Sequence, residues 1–173
     1  ESCSICSTDC GSCSSGGGSG GGGGGGSTTT TTTASGVERT TTKTNFYSNL
    51  QAGTRYEFTS DNDNIQISKI SFTATTDSPS AQISVSTLSA NPTSTEAGST
   101  FAFLEIEQAG AASLSSITID FFVTKAWLTQ NNLDPTSVKL YRYVNNEWTA
   151  LNTKQGLELE DRVVCRCPYL GIQ

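Results

Sequence analysis

The chain predicts an all-β fold: a β-sandwich with one short helix, preceded by an extended Cys/Gly/Thr-rich N-terminal arm. Three observations predict it. Apolar residues recur with period two in short runs, separated by Gly, Asn, Asp and Pro turn residues. Charged residues make up only 15%, and Thr, Ser, Gly and Asn carry the polarity, a composition that suits an exported β-protein better than a cytosolic helical one. The first forty residues contribute almost nothing apolar, so the core of this 173-residue chain has to come from the rest. The organisation expected is a cysteine cluster over 1–15, a Gly/Thr-rich linker or arm over 16–43, and a β-sandwich over 44–173.

The cluster, ESCSICSTDCGSCSS, sets Cys3, Cys6, Cys10 and Cys13 at C-x2-C-x3-C-x2-C. Four thiolates at such spacing suit tetrahedral zinc or an iron-sulfur cluster, but the two pairs stand closer together than in a zinc knuckle. Disulfides are the plainer reading for an exported chain, and the even total of six cysteines agrees. Cys165 and Cys167 complete the set of disulfide candidates. Residues two apart in a strand share a face, so this pair is expected to present its sulfurs side by side, within reach of the N-terminal cluster of the same or a neighbouring molecule.

Gly16 to Gly26 is nearly pure glycine, which reads as a tether. Thr28, Thr29, Thr30, Thr31, Thr32 and Thr33 follow without a break. Their β-branching favours extended backbone, and a Thr-rich exported segment is a candidate O-glycan acceptor. The Asn-x-Ser/Thr pattern occurs only as Asn91-Pro92-Thr93, with proline at the forbidden position, so no N-glycan is expected.

Thr40 to Thr44 and Phe46-Tyr47 lead into the body. Tyr56 and Phe58 alternate with Arg55 and Glu57; Ile65 and Ile67 follow a turn, then Ile70, Phe72 and Ala74. The turn Asp61-Asn62-Asp63-Asn64 clusters oxygen ligands but lacks the glycine and distal glutamate of a calcium loop, so a plain Asx corner is the better reading. Ile83 and Val85 mark another strand, broken at Asn91-Pro92, and Phe101 to Ile106 marks the next, with Ala109 to Ala112 as a turn.

The organising stretch runs from Ile117 to Thr149. Ile117, Ile119, Phe121 and Val123 alternate with Thr118, Asp120, Phe122 and Thr124. Lys125 to Gln130 predicts a turn and a half of helix, stopped by Asn131, Asn132 and Asp134-Pro135. Val138, Leu140 and Arg142 alternate against Lys139, Tyr141 and Tyr143, and Asn145-Asn146 supplies residues that tolerate positive φ in a tight hairpin before Trp148. Leu157, Leu159, Val163 and Val164 then bracket an acidic turn that reads as a solvated loop.

These residues, Lys-Ala-Trp-Leu, then Asn-Asn-Leu-Asp-Pro, then Val-Lys-Leu-Tyr-Arg-Tyr and a Glu-Trp hairpin, resemble the PGF-pre-PGF domain of archaeal cell-surface proteins. The resemblance covers roughly Thr44 to the C-terminus. It implies an extracytoplasmic β-rich domain, usually set just before a membrane-proximal sorting signal, and supplies a place more than an activity. Where the family has a Pro-Gly-Phe stretch and one more apolar strand, this chain reads Cys167-Pro168-Tyr169-Leu170-Gly171-Ile172-Gln173, so the closing edge of the sheet departs from the pattern.

Function classes narrow quickly. Histidine is absent, which removes the usual general base and any Ser-His-Asp or Cys-His arrangement. The glycine run lacks the Lys-Ser/Thr of a phosphate loop, and no carboxylate pair sits in a recognisable cleft signature. A net charge of -6 argues against nucleic acid as a partner. No apolar run is long enough for a membrane span, and no signal-peptide pattern precedes Glu1, which together with the cysteine usage points to an exported chain whose signal has been removed. The expectation is a non-enzyme without cofactor: a structural subunit of an extracellular archaeal surface assembly, filament or surface layer. Its partners are copies of itself, joined by β-augmentation through Thr28 to Thr44 and further by disulfides. The alternative is a tethered glycan-binding or adhesive module using Trp127 and Trp148, although such tryptophans more often fill a core.

Overall fold

The computed structural model describes residues 31–95 and 98–169. Along the chain lie β1 (Arg39–Leu50), β2 (Arg55–Thr59), β3 (Ile67–Ala74), β4 (Ser78–Leu88), β5 (Phe103–Gly110), β6 (Leu114–Thr124), helix α1 (Lys125–Gln130) and a 3-10 turn at Pro135–Ser137. β7 (Tyr141–Val144), β8 (Glu147–Ala150), β9 (Lys154–Glu158) and β10 (Arg162–Tyr169) follow. A five-stranded sheet runs β2-β3-β6-β10-β9, a three-stranded sheet runs β1-β4-β5, and β7-β8 stands as a separate hairpin. The fold is all-β, as the period-two pattern predicts, with a single short helix among the described residues.

Both sheets feed one core. Ala81, Ile83 and Val85 of β4 pack in the same cluster as Ile70 and Phe72 of β3 and Ile117, Ile119 and Phe121 of β6. β6 is the centre: β3 pairs on one side and β10 on the other, with Val163, Cys165 and Cys167 opposite Val123, Phe121 and Ile119. Its second face is covered as well. The Arg162 guanidinium lies 4.6 Å from the Phe122 ring centroid, and Arg166 caps Asp120. That double coverage explains why five consecutive residues, Ile119 to Val123, are buried where alternation alone expects one face.

Helix α1 has the bounds expected. Thr124 caps it by accepting a hydrogen bond from the Trp127 amide at 3.4 Å, Leu128 is its buried residue, and Asn132 leaves the helical region at φ 53°. The Asp134 carboxylate accepts from the Thr136 amide at 2.7 Å and starts the 3-10 turn. Asn145 and Asn146 take φ of 51° and 64°, the pair of left-handed residues that a two-residue hairpin turn requires.

The body begins earlier than residue 44. β1 pairs antiparallel with β4 from Arg39↔Leu88 to Leu50↔Ser78, which places Thr40 to Thr44 in their own molecule's sheet. Thr42 and Ser86 hydroxyls meet at 2.8 Å and Thr44 and Ser84 at 2.9 Å, a ladder of small polar side chains across the outer face. Upstream, the chain doubles back at Gly36 (φ 82°), with Thr32 bridging to Glu38 and the Thr33 amide donating to Val37 at 2.8 Å. Polar residues on both faces conceal this strand from a hydrophobic-period reading, and pairing along β4 supplies what period could not.

Candidate functional site

The two layers are unequal, and the inequality makes the site. Three strands of the smaller sheet cannot cover five of the larger, and β5, at the margin of the smaller sheet, pairs among the described residues with β4 alone. Leu104 and Ile106 stand opposite Thr87 and Val85, so Ile106 shares the inward face with Val85. Val85 is fully buried, whereas Ile106 is 36% exposed. The difference is an open slot of about 560 Å³ alongside β5. Ile70, Phe72, Ile117 and Ile119 contribute to its lining from the larger sheet, and Tyr141, Tyr143 and Trp148 do so from the β7-β8 hairpin.

The hairpin is held in place by Trp148. Its indole N–H donates to the Thr95 carbonyl at 3.2 Å, and its ring packs 5.0 Å from Tyr143 and 6.1 Å from Phe103. At the base, the Leu151 amide donates to Leu140 at 2.8 Å and the Leu140 amide to the Thr153 hydroxyl at 2.9 Å. Slot and hairpin therefore depend on the Asn145-Asn146 turn and Trp148, both visible in the sequence. The position of β5 at the margin of its sheet was not visible, because strand order is a long-range property.

The base of the N-terminal arm reaches the same place. Thr33, Ala34 and Ser35 line the slot. Arg39 fixes the turn they belong to: Nη1 donates to the Thr32 carbonyl at 2.8 Å, Nε to Glu105 at 2.6 Å and Nη2 to Glu107 at 3.1 Å. The carboxylate of Glu105 in particular holds the Arg39 guanidinium above its ordinary pKa.

The cysteines divide. Cys3, Cys6, Cys10 and Cys13 lie outside the described residues. Cys165 and Cys167 do share a face, but it is the core face, where they are 1% and 0% exposed and unbonded to one another. Burial pushes both thiols up from the ordinary value, and a thiol from another chain has no approach to either. Neither is bonded to another cysteine among the described residues. The pattern Arg162-Val-Val-Cys-Arg-Cys167 carried the signal: Val163, Cys165 and Cys167 alternate against Arg162, Val164 and Arg166. Of the threonine run, Thr28, Thr29 and Thr30 also lie outside the described residues, while Thr31 and Thr32 are exposed. Thr33 is 7% exposed, with its hydroxyl bonded to Ser35 at 2.8 Å and to the Val37 amide at 3.1 Å, which leaves no room there for a glycan.

The Asp/Asn turn is an Asx corner, with the Asn64 amide on the Asn62 side chain at 2.9 Å. Lys43 engages Asp61 at 3.0 Å and Arg162 engages Asp63 at 2.7 Å, so cationic side chains already occupy both carboxylates. Trp127 packs on Phe101 with centroids 5.2 Å apart, and both tryptophans line a second cavity of about 420 Å³ beside the slot. Among the described residues no helix is long and apolar enough to cross a membrane. No protein-family model, curated protein or solved structure matches the chain.

Proposed function

We propose that this chain is a non-enzymatic structural subunit of an extracellular archaeal surface assembly, a filament or surface layer, in which the N-terminal arm of one copy adds as a strand to the body of the next. One observation carries the reading: among the described residues β5 has no strand on its second edge, which lies beside an apolar slot, with inward-facing Ile106 36% exposed and the arm's own base at the rim. A free edge offers backbone donors and acceptors to an extended segment, and an apolar floor beside it rewards alternate side chains, which is the physics of strand addition. The resemblance to the PGF-pre-PGF domain supports the extracellular, archaeal setting. Thr40 to Thr44 are already paired with β4, so the donor lies upstream of them, and covalent links between copies fall to Cys3, Cys6, Cys10 and Cys13.

The test compares the full chain with one lacking residues 1–30, by sedimentation and negative-stain imaging, with circular dichroism as the folding control. The reading expects polymer from the first and a folded monomer from the second; polymer from both overturns it. A tethered glycan-binding module is the second reading, favoured by the cavity that Trp127 and Trp148 share. It expects a monomer whose tryptophan fluorescence responds to a sugar.

A further inference from the structure

Resting on the copy-to-copy reading above, we infer that the segment seated in the slot is Ser2–Ile5 of a second copy, with Ile5 on the apolar floor and Cys3 beside it. Failure of this inference and failure of that reading separate in the test below.

The slot selects its occupant by chemistry. Its floor is Ile70, Phe72, Ile117 and Ile119, and its wall on the β5 side is Leu104 and Ile106. A strand laid there points every second side chain at that floor. The threonine run would put hydroxyls against it with no polar partner, which is unfavourable, and the glycines would put nothing there. Among the thirty residues before Thr31, Ile5 is the single aliphatic side chain larger than a methyl group. Cys3 falls on the same strand face as Ile5, and cysteine behaves as a small hydrophobe. Ser2 and Ser4 fall on the other face, where the outward residues of β5 are Glu105 and Glu107, opposite Ser86 and Ser84. The pattern Ser-Cys-Ser-Ile thus suits an edge position that is apolar inside and polar outside.

Reach is sufficient. From Ile5 to Thr31 the chain spans 26 residues by subtraction of their numbers, at most about 90 Å when extended. It leaves the body at the rim of its own slot, where Thr33 to Ser35 lie. The glycine tract from Gly16 to Gly26 is then a spacer, and the threonines are the part of the arm next to the body. The donor is therefore the far end of the arm, upstream of the Thr28 to Thr44 segment that β-propensity alone favours.

The experiment uses the full chain. Ile5→Asp removes the donor side chain and leaves a slot; Ile106→Asp charges the slot at a position already 36% exposed and leaves a donor. Each variant alone is expected to assemble about tenfold or more weakly than the native chain, since burial of one aliphatic side chain is at stake. Ile5→Val is expected to restore assembly. An equimolar mixture is expected to give capped heterodimers, because each partner supplies what the other lacks. A photo-crosslinking residue at position 5, in a mixture of heavy- and light-isotope chains, is expected to give mixed-isotope adducts to peptides of β5 or the hairpin. This readout also stands if Ile106→Asp fails to fold. Native assembly by Ile5→Asp, adducts elsewhere, or same-isotope adducts alone overturn the inference. Loss of assembly on removing residues 1–30, alongside native assembly by Ile5→Asp, leaves the arm reading standing without this donor. Retained assembly after that removal defeats both.

Discussion

Arg166 forks onto Asp120, with Nε 2.7 Å from one carboxylate oxygen and Nη2 2.9 Å from the other. The two partners are unequal: the Asp120 side chain is 10% exposed and that of Arg166 is 61% exposed. Removing the arginine strands a nearly buried carboxylate on the central strand, with only Lys69 remaining, at 4.0 Å. Arg166→Ala should therefore destabilise the fold by about 1–3 kcal/mol. Asp120→Asn should cost less, because Arg166 can rehydrate. Chemical denaturation of both variants checks the order, and a larger loss for Asp120→Asn would contradict it.

Cys165 and Cys167 should resist a thiol reagent in the folded protein and react once guanidinium unfolds it. Their labelling is followed by peptide mass spectrometry, and rapid native labelling of either would contradict their burial. Burial raises their folded pKa above the ordinary 9.0, so they contribute stability below that value which is lost as pH rises through the folded value. The melting temperature should fall above about pH 9 as the unfolded chain's thiols ionise. A Cys165→Val, Cys167→Val double variant should fall less.

At the acid end the sign reverses. Hydrogen bonds from Lys43, Thr136 and Arg162 hold Asp61, Asp134 and Asp161 below the ordinary aspartate value of 3.8. Their contribution is present above 3.8 and is lost as pH falls through the lower folded values. Histidine is absent, so a melting temperature nearly level from pH 7 to about pH 5, dropping below about pH 4, is expected. A transition centred near pH 6 would contradict this.

Gly110 ends β5 at φ 99°, where an added Cβ would meet the Ser80 carbonyl oxygen at 2.7 Å. Gly110→Ala should cost about 1–3 kcal/mol, read from the thermal melt. A neutral result would show that β5 is not held against β4 at that end.

How much of this was legible depends on how local each cause is. Helix α1 was legible to the residue, since Thr124, Leu128 and Asn131-Asn132 lie within a few positions of one another. So was the hairpin, because Asn145-Asn146 is its own explanation. β1 was not: TTTKTN carries polar side chains on both faces and becomes a strand only by pairing with Ser84 and Ser86, forty residues away and more. The placement of Cys165 depended on which face β10 turns to the core. The slot was the least legible feature, because it arises at the margin of the smaller sheet, where β5 has no second neighbour among the described residues, while every nearby residue follows its own local rule.

Electron cryomicroscopy of native assembled material tests the central claim most directly. The expected map shows an added strand along β5, between it and the β7-β8 hairpin, continuous with the N-terminal arm of another copy. An assembly whose slots stand empty, or are filled by the same molecule's arm, would contradict it.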